Sequence, residues 1–114
     1  MKEYELIVSI FNRGYSSTAM EAAKKAGARG GTVLNTRGTG SHEVEKFFGI
    51  TIQPEKEMLL ILVDKEVRNA VMQAIGSVVG LHTAGQGILF SLPVQDVLGL
   101  SQETGLKEDS APID

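Results

Sequence analysis

Apolar residues sit at alternate positions near the start of the chain, with Leu6, Val8 and Ile10 on one side and Ile7 and Phe11 on the other. A period of two predicts a strand from Tyr4 to Phe11, with both faces at least partly buried. Asn12-Arg13-Gly14 reads as a turn. Ala19, Ala22, Ala23 and Ala26 then recur at helical spacing, and such small side chains imply close packing on a sheet. Thr18 and Glu21 have the spacing of a capping box, and Gly27 suits the left-handed position that ends a helix. A second strand is predicted from Thr32 to Arg37. Met58 to Val63 is an unbroken apolar run bounded by charge. It is too short for a buried helix and predicts a central strand. Asp64 is placed to cap the next helix, whose apolar stripe is Val67, Ala70, Val71, Ala74, Ile75 and Val78 and whose end lies near Gly80. The last strand runs from Ile88 to Leu92, with Pro93 stopping it. Val94 to Leu98 is a short turn of helix or an edge segment, and from Glu103 onward the chain is polar and expected to fray.

The order strand, helix, strand, strand, helix, strand predicts an α+β, ferredoxin-like βαββαβ fold, with helices on one face of an antiparallel sheet. Alternation along Met58 to Val63 then sends Leu59, Ile61 and Val63 to one face and Met58, Leu60 and Leu62 to the other. A two-layer domain leaves one of those faces uncovered, and a patch of that size marks an interface. A closed homo-oligomer with sheets packed inward is expected, the alternative being a C-terminal segment folded over the sheet.

Composition narrows the classes. The chain has 114 residues, enough for one domain with its own core. A net charge of −3 argues against nucleic-acid binding, which needs a basic surface. Without cysteine there is no disulfide, thiolate catalysis or sulfur-ligated metal. No apolar run reaches membrane-spanning length and the first residues lack a signal-peptide core, so a cytoplasmic location is expected.

Two glycine turns carry the candidate chemistry: Gly38-Thr39-Gly40 after the second strand and Gly85-Gln86-Gly87 before the last. Glycines admit a ligand close to the backbone, and successive N–H groups in such a turn can form an anion-binding nest. Two such turns beside strand ends suggest a ligand cleft.

The chain resembles the P-II family of signal-transduction proteins over Tyr4 to Gly105. The resemblance is carried by the strand leading into Arg37-Gly38-Thr39-Gly40 and by the long loop after it. It is carried also by Gly85-Gln86-Gly87 with Ile88 to Val94 following, and by Glu103-Thr104-Gly105. It implies a ferredoxin-like homotrimer over residues 1–105 with a polar tail at 106–114. It implies an adenine nucleotide in each cleft between subunits, contacted by Thr32, Arg37, Gly38, Thr39, Gly40, Gly85, Gln86 and Gly87. Lys56 matches a family lysine near the effector site. A flexible loop carrying Ser41, His42, Glu43, Phe47 and Phe48 would pass the signal to a partner, a membrane transporter or a metabolic enzyme. No cofactor is required and no catalytic role is implied.

The departures from the family pattern are informative. Ser41-His42 stand where an Arg-Gln pair is usual, and Ile88 replaces the lysine that would meet a phosphate. Ser101 and Glu103 stand in place of late arginines, and the loop lacks the tyrosine that is uridylylated. Losing charge-assisted contacts should favour AMP or ADP over ATP.

Other classes share the topology. An ACT-type regulatory module would place its binding glycine near Gly14, and a divalent-cation-binding trimer shares the assembly. An acylphosphatase-type enzyme would use Arg13 in the first loop, although a full phosphate cradle is not evident around it. His42, Glu43 and Glu45 are metal-ligand types, but converging from one loop they make a poor closed site, and no metal is expected.

Overall fold

The computed structural model describes residues 2–37, 45–47, 50–52 and 55–100, with only the backbone described at 45–47 and 50–52. Strands β1 (Tyr4–Asn12), β2 (Thr32–Arg37), β3 (Glu45–Phe47), β4 (Ile50–Ile52), β5 (Glu55–Asp64) and β6 (Ile88–Val94) accompany helices α1 (Ser16–Lys25) and α2 (Arg68–Val79). The main sheet has the order β2-β5-β1-β6, and every neighbouring pair is antiparallel. Each helix therefore connects two parallel strands with a third between them. The fold is ferredoxin-like, as the hydrophobic pattern predicts.

The core lies between the sheet and the two helices. Ile7 and Phe11 of β1 and Leu59, Ile61 and Val63 of β5 meet Ala19 and Ala23 of α1 and Val71, Ile75 and Val79 of α2. Full burial of one such aliphatic or aromatic side chain is worth about 1.5–3 kcal/mol. The buried stripe of α2 is Val71, Ile75 and Val79, four residues apart, whereas Ala70 is exposed. The helix is thus rotated from the stripe drawn on the sequence.

The opposite face of the sheet is also apolar. Register aligns Leu6 with Leu62 and Leu92, Val8 with Leu60 and Phe90, and Ile10 with Met58 and Ile88. Ile88, Phe90 and Leu92 are exposed there, as is Leu34 of β2.

Several local expectations change. The first helix begins at Ser16, with Tyr15 at its N-cap, and no side chain of its own caps it, so Thr18 and Glu21 form no capping box. Glu57, from β5, does that work instead: its Oε1 accepts the N–H of Gly14 at 3.0 Å and of Ser16 at 3.3 Å. Asp64 occupies the predicted cap position, but its side chain makes no cap bond and a 3-10 turn, Lys65–Val67, precedes α2. Pro93 does not stop the last strand. It lies within β6, opposite Glu5, and β6 is an edge strand, where the missing N–H is tolerated. Val94 ends β6, and no helix follows it up to Leu100.

The end of α1 is as expected. Gly27 has φ +121°, Ala28 N–H donates to Ala23 O, and Gly27 N–H donates to Lys24 O, the two bonds of a Schellman motif. The pairing of β3 with β4 as a separate two-stranded ribbon was not visible in the sequence, where residues 40–48 carry no strand periodicity. The boundary at residue 105 and the tail lie outside the described residues.

Gly87 offers a stability test. A Cβ there would stand 2.4 Å from Val79 O and 3.0 Å from Ile10 O, and backbone atoms cannot step aside. Gly87→Ala should cost about 1–3 kcal/mol. Gly30→Ala, which meets nothing within 4 Å, should change stability by about 0.5 kcal/mol or less. Thermal unfolding at matched chain concentration compares them; equal midpoints would show that the turn shifts freely.

Candidate functional site

Two cavities open beside β2, one at each end. The first, about 360 Å³, is lined by the connection Gly27 to Thr32, by Leu6, Leu60 and Leu62 of the open sheet face, and by Tyr4, Val63, Asp64 and Leu100. Its wall is mostly aliphatic side chain and glycine backbone. Gly31 packs against β5 so closely that a Cβ would meet Ile61 Cγ1 at 3.0 Å and Leu60 O at 3.1 Å. Such a surface suits a flat, largely apolar group. Thr32 stands at its edge, exposed.

The second cavity, about 260 Å³, lies where β2 ends and β5 begins. Arg13, Asn35, Thr36, Arg37, Glu55 and Lys56 line it. Among the described residues, three cations and one carboxylate face this space. Lys56 is 5% exposed, and its Nζ donates to Asn12 Oδ1 at 2.7 Å. Asn12 in turn donates from Nδ2 to Ala84 O at 3.0 Å and from its backbone N–H to Gly85 O at 2.8 Å. Asn12 therefore ties the buried ammonium to the second glycine turn. The Arg13 guanidinium pairs with the Glu55 carboxylate, and both side chains are substantially exposed.

The backbone around these side chains is closed. In the turn after β1, Asn12 N–H donates to Gly85 O, Arg13 N–H to Glu55 O and Gly14 N–H to Glu57 Oε1. An acylphosphatase-type phosphate cradle there would need those donors free. In the second glycine turn, Gly85 N–H donates to Thr83 Oγ1, Gln86 N–H to Thr83 O and Gly87 N–H to Val79 O. The anion nest expected at Gly85, Gln86 and Gly87 is thus absent, because the donors are used to hold the turn on the end of α2. Gly85 and Gly87 are buried and closely approached by Val79, while Gln86 is exposed with φ +47°. That turn presents the Gln86 side chain and no N–H cluster.

The structure separates the residues singled out in the sequence. Arg37 and Lys56 come together in the second cavity. Thr32 lies at the other end of β2, about 17 Å away at strand rise. Gly85, Gln86 and Gly87 precede β6 and sit against the end of β1, where Gly85 O accepts the Asn12 N–H. Gly38, Thr39, Gly40, Ser41, His42, Glu43 and Phe48 fall outside the described residues, and of Phe47 only the backbone is described. Among the described residues, no group of three or more His, Asp or Glu side chains could hold a metal ion. No described helix is long and apolar enough to cross a membrane. Sequence reasoning missed the roles of Asn12, Glu55 and Glu57. Their only signal is polar residues closing an apolar strand, which does not say what they face.

Comparison with known proteins bears on what this arrangement is. Among solved structures, Arabidopsis thaliana PII bound to citrate is 25% identical, covering 95% of this chain and 91% of that one with a TM-score of 0.68. The B. subtilis GlnK–ATP complex is 17% identical (86% and 88% covered, TM-score 0.66), and B. subtilis GlnK is 15% identical (87% and 91% covered, TM-score 0.65). At those identities the latter two speak to the fold alone. A comparison with curated proteins finds no match. The family profile of nitrogen regulatory protein P-II matches residues 4–104, from the first residue of β1 to beyond β6, and the chain belongs to that family.

Proposed function

We propose that this protein is a P-II-type signal transducer, without enzymatic activity, that senses an adenine nucleotide and a small anionic effector and relays their binding to a partner protein. The observation that carries this reading is the buried Lys56 with Arg13 and Arg37 around one cavity, at the foot of the segment that leaves β2 and returns to β5. A ligand that neutralises those cations would act directly on both ends of that segment. Citrate in the plant relative is consistent with a carboxylate effector. ATP in a GlnK complex is consistent with a nucleotide.

The nucleotide fits the larger cavity, with its base against Gly31, Leu60 and Leu62 and its polar end near Thr32. Gln86 cannot join Thr32 within one chain, because its turn is fixed to Asn12 at the end of β1, whereas Thr32 lies two strands over and level with Val8, roughly 16 Å away. They meet only if the β2 edge of one subunit faces the β6 edge of the next. The exposed apolar face running through Ile88, Phe90 and Leu92 supports such an assembly, and we take it to be a homotrimer. Light scattering on the purified protein should give the mass of three subunits. A monomer at micromolar concentration would remove the shared cleft.

Phosphates have little to hold them at the Gln86 turn, whose N–H groups are engaged and where Ile88 supplies no cation. Each absent charge-assisted bond forgoes roughly 1.5–3 kcal/mol. AMP or ADP should therefore bind at least as tightly as ATP. Calorimetry that finds ATP tenfold tighter would overturn the assignment.

The loop containing Ser41, His42, Glu43, Phe47 and Phe48 is the element we assign to signalling, toward a transporter or a metabolic enzyme in the cytoplasm. A ligand shifts such an element only if it binds one of its states preferentially. Amide hydrogen exchange over residues 41–46 should slow when nucleotide is added. Identical exchange rates with and without nucleotide would leave the loop uncoupled from the site.

A further inference from the structure

Asp64 puts a carboxylate on the wall of the larger, mostly aliphatic cavity. It is the last residue of β5 and stands at the N-cap of the turn before α2, yet its side chain makes no cap bond. Its Oδ2 lies 3.8 Å from Lys2 Nζ, beyond hydrogen-bond length. Packing and capping therefore do not account for where this carboxylate points.

We propose that Asp64 is the base-reading residue of the nucleotide site, its carboxylate accepting a hydrogen bond from the 6-amino group of adenine. This rests on the nucleotide assignment made above and adds to it the group that tells adenine from a purine without that amine.

Register places Asp64 where the far edge of the base would lie. Leu60, Leu62 and Asp64 alternate along β5 and so share the open face of the sheet, and Thr32 is aligned with Leu60. Asp64 thus stands four residues beyond the level of Thr32, about 13 Å at strand rise, with Leu62 between them. A nucleoside hydrogen-bonded at both ends spans about that length. With the base on Gly31, Leu60 and Leu62 and the sugar and phosphate toward Thr32, the edge of the base remote from the sugar meets Asp64. Charge sets the same direction, since a carboxylate repels phosphate and draws a donor.

The carboxylate is also available. Its side chain makes no hydrogen bond among the described residues and is 31% exposed. Lys2 approaches one oxygen and can stay there, because a carboxylate has room for several donors and the amine brings no charge of its own. No contact of the folded chain needs to break. A hydrogen bond to an ionised acceptor is among the stronger ones, so a purine that offers only a C–H at that edge forgoes it.

The test titrates the full-length protein by calorimetry with AMP and with purine riboside 5′-monophosphate, which differs only in lacking the 6-amino group. Wild type should bind AMP at least about tenfold more tightly, which is what a hydrogen bond to a charged group supplies. In Asp64→Ala, where that bond is gone, the two should bind within about twofold of each other. Asp64→Asn keeps an acceptor without the charge, and its ratio should fall between those two. 2′-Deoxy-AMP keeps the amine and should lose as much affinity as AMP does on Asp64→Ala. Unfolding midpoints should stay near wild type in both variants, since the Asp64 side chain makes no cap bond. An AMP preference that is the same in wild type and Asp64→Ala would overturn the base-reading role while leaving the nucleotide site standing. So would an Asp64→Ala protein that weakens AMP but spares 2′-deoxy-AMP, because Asp64 would then contact the sugar. No AMP binding to wild type would overturn the nucleotide assignment and the role of Asp64 with it.

Discussion

The tie between the turn after β1 and the start of β5 is the constraint on which the rest of the site depends. Asn12, Arg13 and Gly14 direct their N–H groups to Gly85, Glu55 and Glu57, three points on two other elements. The Asn12 side chain adds Ala84 and the Lys56 ammonium. One short turn thus fixes the origin of α1, the register of β5 against β1 and the position of the second glycine turn. A buried lysine is costly unless its charge is met by polar partners. Here the same asparagine that meets it also locks the backbone around it, so the cation is held in place before any ligand arrives.

That arrangement divides the labour between backbone and side chains. Glycine-rich turns in nucleotide-binding proteins are commonly read as donors to phosphate. In the Gly85-Gln86-Gly87 turn the glycines answer a packing demand instead, since a Cβ on Gly87 would stand 2.4 Å from Val79 O and one on Gly85 3.0 Å from it. What remains for a ligand is the side chain between them. Positive charge is concentrated elsewhere, at Arg13, Arg37 and Lys56 around the junction of β2 and β5.

The fold was legible in the sequence because each strand and helix keeps its period. Met58 to Val63 is apolar at every position, which only an interior strand of a two-faced sheet requires, and β5 is interior. The Schellman end of α1 was legible from Gly27 alone, because its positive φ is a local matter. The start of α1 was not. Thr18 and Glu21 satisfy the local rule for a capping box, but Glu57, more than forty residues away in sequence, reaches the helix start first. Pro93 failed for a related reason: whether a proline ends a strand depends on whether that strand is at an edge, which pairing order decides and local sequence does not. Around the second cavity, Arg37 and Lys56 stand out in the sequence by resemblance, one for a nucleotide and the other for an effector, whereas Asn12, Glu55 and Glu57 gain their contacts only from register across β1 and β5.

The two cavities share a strand, and this bears on how one ligand can influence another. Thr32 at one and Arg37 at the other are the first and last residues of β2, which pairs with β5 along its whole length. β2 is the edge of the sheet, held on one side only, and most of its residues are exposed. An edge strand is the element of a sheet that can adjust at least cost to the core, since its loss of register leaves the buried side chains of β1, β5 and the helices in place. Coupling between the cavities needs no long path through the interior. It needs only that β2 and the segment leaving it have more than one arrangement, and that a group bound at either end favours one of them.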